Sequence, residues 1–120
     1  MFKNLRFVYI TTKDKKEAHT IGKAIIEKRL AACVNIIDGM ESMYHWKGGV
    51  ETSLECILIA KTPYRNINEL TSLVKDMHSY ECPCIITLTL TEQEGNEEYL
   101  MWLMNESKHA DPEIHLEDEK

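Results

Sequence analysis

Between Leu30 and Thr62 the chain reads Leu-Ala-Ala-Cys-Val-Asn, then Ser-Met-Tyr-His-Trp-Lys-Gly-Gly, then Leu-Glu-Cys-Ile-Leu-Ile-Ala-Lys-Thr. β-branched and aromatic residues flank Lys47-Gly48-Gly49, which predicts two long strands folded about that point, since a glycine pair accepts the positive φ of a tight hairpin. A two-stranded ribbon has too little apolar area to offset the entropy of ordering it in water. It must therefore lie against something, and in a chain of 120 residues that something is expected to be another copy of the chain.

The length and the 43% hydrophobic content suit a single core, so one domain over residues 1–108 is expected. There is no run of about 18 apolar residues, and Met1-Phe2-Lys3-Asn4-Leu5-Arg6 lacks the apolar stretch of a signal peptide. A cytoplasmic protein with no membrane partner is the expectation. The net charge of -6 argues against a nucleic-acid partner, which would call for clustered Lys and Arg. From His109 onward Asp111, Glu113, Glu117, Asp118 and Glu119 face one lysine, so residues 109–120 read as an acidic, disordered tail. Cys33, Cys56, Cys82 and Cys84 sit in apolar, strand-like segments without a framework spacing, which reads as reduced, partly buried thiols. Cys82 and Cys84 are also too close in sequence to bridge comfortably.

Along the chain, Leu5 to Thr12 is a strand by composition, and Asp14 with Glu17 three residues on marks a helix start. Ala18, Ile21, Gly22 and Ile25 recur at helical spacing, predicting a helix that lasts to about Arg29. Asp38-Gly39 marks a bulge or bend in the first hairpin arm. Pro63 opens a second helix with Ile67, Leu70, Val74 and Met77 on one face. After Pro83, Ile86, Leu88 and Leu90 alternate with Thr87, Thr89 and Thr91, as in a strand that buries one side. Gly95-Asn96 then introduces a short helix carrying Tyr99, Leu100, Trp102 and Leu103. The order β-α-β-β-α-β with an added C-terminal helix predicts an α+β, ferredoxin-like fold, its helices on one face of a four-stranded antiparallel sheet. Ile57, Leu58 and Ile59 are apolar on both sides of their strand, so the other face is expected to be covered by neighbouring subunits.

Several short motifs in this order resemble the CutA divalent-cation tolerance family over roughly residues 5 to 106. They are Leu30-Ala31-Ala32-Cys33-Val34-Asn35, Tyr44-His45-Trp46-Lys47-Gly48, Lys61-Thr62, His78-Ser79-Tyr80-Glu81-Cys82-Pro83, Gly95-Asn96 and Tyr99-Leu100-Met101-Trp102. The resemblance implies a homotrimer in which strands of adjacent subunits pair, and a link to copper and other divalent ions. It also implies kinship with trimeric PII signalling proteins, which bind small ligands between subunits. The chain departs from the family at Ser79 and Cys84, where many members have proline and glutamate. Some bacterial members are linked to copper through a first-strand cysteine and a His-His pair; those positions hold Ile10, Met77 and His78 here, of which one is a strong ligand.

Two constellations carry possible chemistry. His78, Cys82 and Cys84, with Met77 adjacent, are a soft set suited to Cu(I) or Zn(II) if the loop closes onto the next strand. The alternative is that His78 ends a helix and the cysteines fill small apolar gaps. Cys33, Tyr44, Trp46, Lys61 and Tyr80 could line a cleft for a small anionic ligand, because a few polar groups converging in aromatic walls fix a ligand's orientation. The alternative is subunit packing, with Lys61 paired to a carboxylate such as Glu55 or Glu81. No obligatory cofactor is expected. No phosphate-cradling glycine loop or activated nucleophile stands out, so a non-enzymatic protein associated with divalent-metal tolerance is the expectation, with a PII-like metabolite sensor or trimeric scaffold as the alternative.

Overall fold

The computed structural model describes residues 4–90 and 94–108. Its elements are β1 (Leu5–Thr12), α1 (Lys15–Glu27), β2 (Cys33–Trp46), β3 (Gly49–Pro63), α2 (Ile67–Met77), β4 (Ile85–Thr89) and α3 (Glu97–Glu106), with a short 3-10 turn Tyr64–Asn66 before α2. The strands form one antiparallel sheet in the order β2-β3-β1-β4, the ferredoxin-like arrangement that the element order predicts. The acidic residues 109–120, including His109 and His115, lie outside the described residues, as does Thr91. No helix among the described residues is long and apolar enough to cross a membrane.

α1 starts where the sequence says it should. The Asp14 carboxylate accepts the Glu17 N–H at 2.8 Å, satisfying one of the donors that a helix start leaves open. The helix stops at Glu27, two residues short of the expected end, because Arg29 takes φ +56° and lets Leu30 N–H and Arg29 N–H fold back onto the Ile25 and Ile26 carbonyls. Gly22 sits where α1 crosses the sheet. A Cβ there would lie 3.2 Å from Leu58 and 3.3 Å from Val34, so glycine is what allows the close approach.

Cross-strand partners share a face, so the register sorts the sheet into two sides. Val8 pairs with Ala60 and Ile10 with Leu58, and all four are buried with Ala18, Ile21 and Ile25 of α1 and Leu70 and Val74 of α2 in the main core. Phe7, Tyr9, Ile57, Ile59 and Lys61 face the other way. α3 covers one end of this second side, where Leu103 and Met104 pack on Leu5 with Cys33 and Leu90 alongside. The helices therefore do not all lie on one face: the sequence gives α3 an apolar side but no signal of which surface it meets.

The hairpin turns on Lys47 (φ +48°) and Gly48 (φ +83°), with Trp46 paired to Gly49. It is a two-residue primed turn, in which lysine takes one of the two positive φ values and Gly49 belongs to β3. The expected irregularity at Asp38-Gly39 is present as a shift in register between Ile37 and Met40. β4 differs from the expectation that its apolar alternation is buried: Ile86 and Leu88 are exposed in the single chain, because they lie on the side that α1 and α2 do not reach.

Candidate metal and ligand site

The segment between α2 and β4 is the most heavily braced loop of the molecule's site region. His78 closes α2, and its Nε2 lies 2.7 Å from the Thr11 carbonyl while its Nδ1 lies 3.1 Å from the Tyr80 N–H. A carbonyl only accepts and an amide N–H only donates, so Nε2 carries the proton and Nδ1 is the acceptor. Ser79 N–H donates to Glu17 Oε2 at 2.9 Å, while Glu17 Oε1 accepts Lys13 N–H at 3.0 Å. Partial burial pushes the Glu17 carboxyl up, but these backbone donors outweigh it and hold the group below its ordinary range. The Tyr80 ring lies 4.7 Å from the His78 ring, and its hydroxyl donates to Glu55 Oε2 at 2.8 Å. Burial, followed by that hydrogen bond to a carboxylate, pushes the Tyr80 phenol up, so it stays protonated. At the far end of the loop the Cys84 carbonyl accepts Thr11 N–H at 3.4 Å.

Against this geometry the expected metal set does not assemble within one chain. Both nitrogens of His78 are already bonded, and no group of three or more His, Cys, Asp or Glu side chains among the described residues is placed to hold a metal ion. Cys82 and Cys84 lie in the loop before β4, outside the strand, with Cys82 exposed and Cys84 half-buried. All four cysteines are free thiols. A divalent ion, which needs four to six ligands of its own, is thus not matched by the described residues of a single chain.

The five residues expected to line a cleft fall into three separate places. Cys33 and Lys61 are cross-strand partners at the root of the hairpin. There Lys61 Nζ bonds the Tyr99 hydroxyl at 3.0 Å and lies 5.2 Å from the centre of its ring, which in turn stacks on Trp102 at 5.8 Å. The hydrogen bond that Lys61 donates to Tyr99 raises the Lys61 pKa, outweighing partial burial. Lys61 thus takes a tyrosine as its partner, and the Glu55 considered for it is engaged by Tyr80. Tyr44 and Trp46 sit near the hairpin tip, with the Tyr44 hydroxyl 3.4 Å from Ser53 Oγ and Lys47 Nζ 5.9 Å from the Trp46 ring centre. Lys61 lies twelve residue steps along the strand from Gly49, so tip and root are roughly 40 Å apart at about 3.3 Å per residue. The register nevertheless puts Tyr44, Trp46, Lys61 and Cys33 on one face of the sheet, once the one extra residue of β2 after Ile37 is counted.

Sequence reasoning missed Thr11 and Tyr99 as site partners and gave Glu17 only a capping role. No local signal marks them, because each meets its partner across at least 38 positions of chain in the bonds to His78, Ser79 and Lys61.

A family model described as "CutA1 divalent ion tolerance protein" matches residues 6–106. The "Divalent-cation tolerance protein CutA" of Thermus thermophilus is 45% identical over 96 residues, covering 80% of this chain and 91% of that protein. "Protein CutA 1, chloroplastic" of Oryza sativa is 41% identical over 103 residues, 86% of this chain; the chain spans 57% of that relative's length. Among solved structures, the T. thermophilus divalent cation tolerance protein superposes with a TM-score of 0.81 at 41% identity, covering 87% of this chain and 99% of that one. The CutA1 structure from O. sativa gives a TM-score of 0.84 at 40% identity, covering 88% and 95%.

Proposed function

Because this chain belongs to the CutA1 divalent ion tolerance family, we propose that it works as a non-enzymatic homotrimer that helps a cell tolerate divalent metal ions such as copper. The clefts between its subunits are the place for a metal or a small anionic ligand. One observation carries the assembly: the far half of the hairpin exposes Met43, Val50 and Leu54 on one face, with Leu54 71% and Val50 68% accessible. Contiguous apolar surface of this kind marks an interface. The free edges of the sheet are β2 and β4. Pairing β2 of one copy with β4 of the next satisfies both, and three-fold closure leaves no edge open.

The same assembly supplies what the single chain lacks. Tyr44 and Trp46 share a face with Cys33 and Lys61 but lie a hairpin's length away, so they can meet those residues only on another copy. Light scattering at micromolar concentration is expected to give three times the 13.9 kDa chain mass. A folded, lasting single chain overturns the reading. Expression in metal-stressed cells that lack their own copy tests the tolerance role: the wild type should restore growth, and absence of rescue by a correctly assembled trimer rejects that role.

A further inference from the structure

Both α1 and α3 end on a glutamate, Glu27 and Glu106, and neither helix carries a basic residue in its last turn. A carboxylate at that position meets the negative pole of its helix, an arrangement that costs stability and that folding alone gives no reason for. The two helix ends converge on one open cavity of about 170 Å³, which Ile26 and Trp102 also line. We propose that this cavity binds an organic ammonium group, either a small protonated alkylamine or the end of a lysine side chain. The site lies outside the metal-tolerance reading and needs no metal ion.

Charge sets the sign of the guest. Among the described residues that line the cavity Arg29 is the one cation, and it is already committed: its Nη1 donates to the Glu106 carbonyl at 3.1 Å and lies 3.7 Å from the Glu106 carboxylate. Glu27 has no ion pair among the described residues, Lys23 one turn earlier on the same helix included. The cavity thus keeps one uncompensated carboxylate and two helix poles of the same sign, which favour a cation over a neutral or anionic guest.

The apolar lining sets the kind of cation. Trp102 is 45% exposed and Ile26 37%, and stacking on Tyr99 at 5.8 Å holds the indole as a fixed wall. An ammonium within about 6 Å of an indole ring is attracted to its face. A bare Mg²⁺ or Ca²⁺ gains nothing from such walls and asks for more oxygen ligands than one free carboxylate supplies. An alkylammonium gains at both ends, its charge from Glu27 and its methylenes from Ile26 and Trp102. Size agrees, since a cavity of roughly 150 Å³ holds a benzene-sized guest and an amine of about five heavy atoms is no larger.

Nuclear magnetic resonance on the nitrogen-labelled full chain tests this, with n-butylammonium added at constant ionic strength and the two indole N–H signals followed. The Trp102 signal should shift and saturate, while that of Trp46, at the hairpin tip, stays in place. Glu27→Gln should weaken binding about fivefold, the upper range for a partly exposed ion pair. Arg29→Gly should strengthen it, because it frees Glu106 and glycine suits the φ of +56° at this position. An acetylated Gly-Lys-Gly amide in place of the amine separates the two sources: tighter binding of the peptide points to a partner's lysine, tighter binding of n-butylammonium to a free amine, and either supports the site. Four results overturn it. They are no saturable shift in the wild type, an equal shift with sodium chloride, an equal shift with uncharged n-butanol, and undiminished amine binding in folded Glu27→Gln.

Discussion

Leu54 and Leu58 lie four residues apart on the same face of β3, yet Leu58 is wholly buried and Leu54 is 71% exposed. From Cys56 onward every second residue, Cys56, Leu58, Ala60 and Thr62, is covered; before it Leu54 and Val50 continue the same alternation into solvent. Residue type does not separate these halves. Length does: α1 has 13 residues and runs about 20 Å, whereas β3 has 15 and runs roughly 50 Å, close to the 48 Å long axis of the molecule. A helix rises less than half as far per residue as a strand, so a helix of similar residue count cannot roof the whole ribbon. An apolar pattern that outruns its own helices is what the proposed assembly would cover.

The largest effect should come from breaking the uncovered half. Val50→Asp with Leu54→Asp places two charges in the proposed interface, and light scattering should fall to the single-chain mass while far-UV circular dichroism keeps the signal of the folded domain. Unchanged mass would mean that the ribbon's apolar residues are not the contact. Next comes the covered half: Leu58→Ala leaves a cavity in the core and should cost about 2–5 kcal/mol in denaturant unfolding. Leu54→Ala should cost little in a dissociated chain, and its effect on the assembled protein should depend on protein concentration. Equal, concentration-independent losses at both positions would erase the distinction between the two halves.

Where the halves join, Tyr80 ties the loop after α2 to Glu55. Tyr80→Phe should lower stability by about 1 kcal/mol, and a double-mutant cycle with Glu55→Gln should recover a coupling of that order. At the tip, Lys47 holds φ +48° without being glycine. Lys47→Asn should stabilise the hairpin by about 0.5 kcal/mol, read as a rise in denaturation midpoint, since asparagine tolerates this conformation better. The smallest effect is expected at Glu17, a partly exposed group. Its carboxyl loses its proton more readily folded than unfolded, so its contribution is present above the ordinary value of 4.5 and fades as pH falls through the lower folded value. Glu17→Gln should therefore be slightly less stable than wild type at pH 7, with the gap closing in acid.

Elements whose causes are local were legible. Asp14 capping Glu17, Asn96 capping α3 through Glu98 and Tyr99, and the break in register at Asp38-Gly39 each depend on residues within a few positions of one another. The hairpin turn was legible in place but not in detail, since the sequence pointed to the glycine pair and the backbone used Lys47 with Gly48. The candidate site was harder to read. His78, Cys82 and Cys84 looked like one ligand set because they are close in sequence, but a ring nitrogen goes to whichever polar group is nearest in space. For His78 that partner is Thr11, 67 positions away. Lys61, for which a carboxylate partner was one alternative to ligand binding, meets the Tyr99 hydroxyl, because α3 folds over the sheet's second face.

By itself the sequence determined the order of elements, the ferredoxin-like strand arrangement, the family, and the surplus of apolar residues on a long hairpin. Those follow from periodicity, capping and turn chemistry, which act over a handful of residues. Only the tertiary structure decided which face α3 covers, that His78 spends both nitrogens on backbone, and that the root and tip of the hairpin stand apart within one chain. These outcomes depend on distances between residues remote in sequence, and a hydrogen bond or a packed face is won by proximity in space.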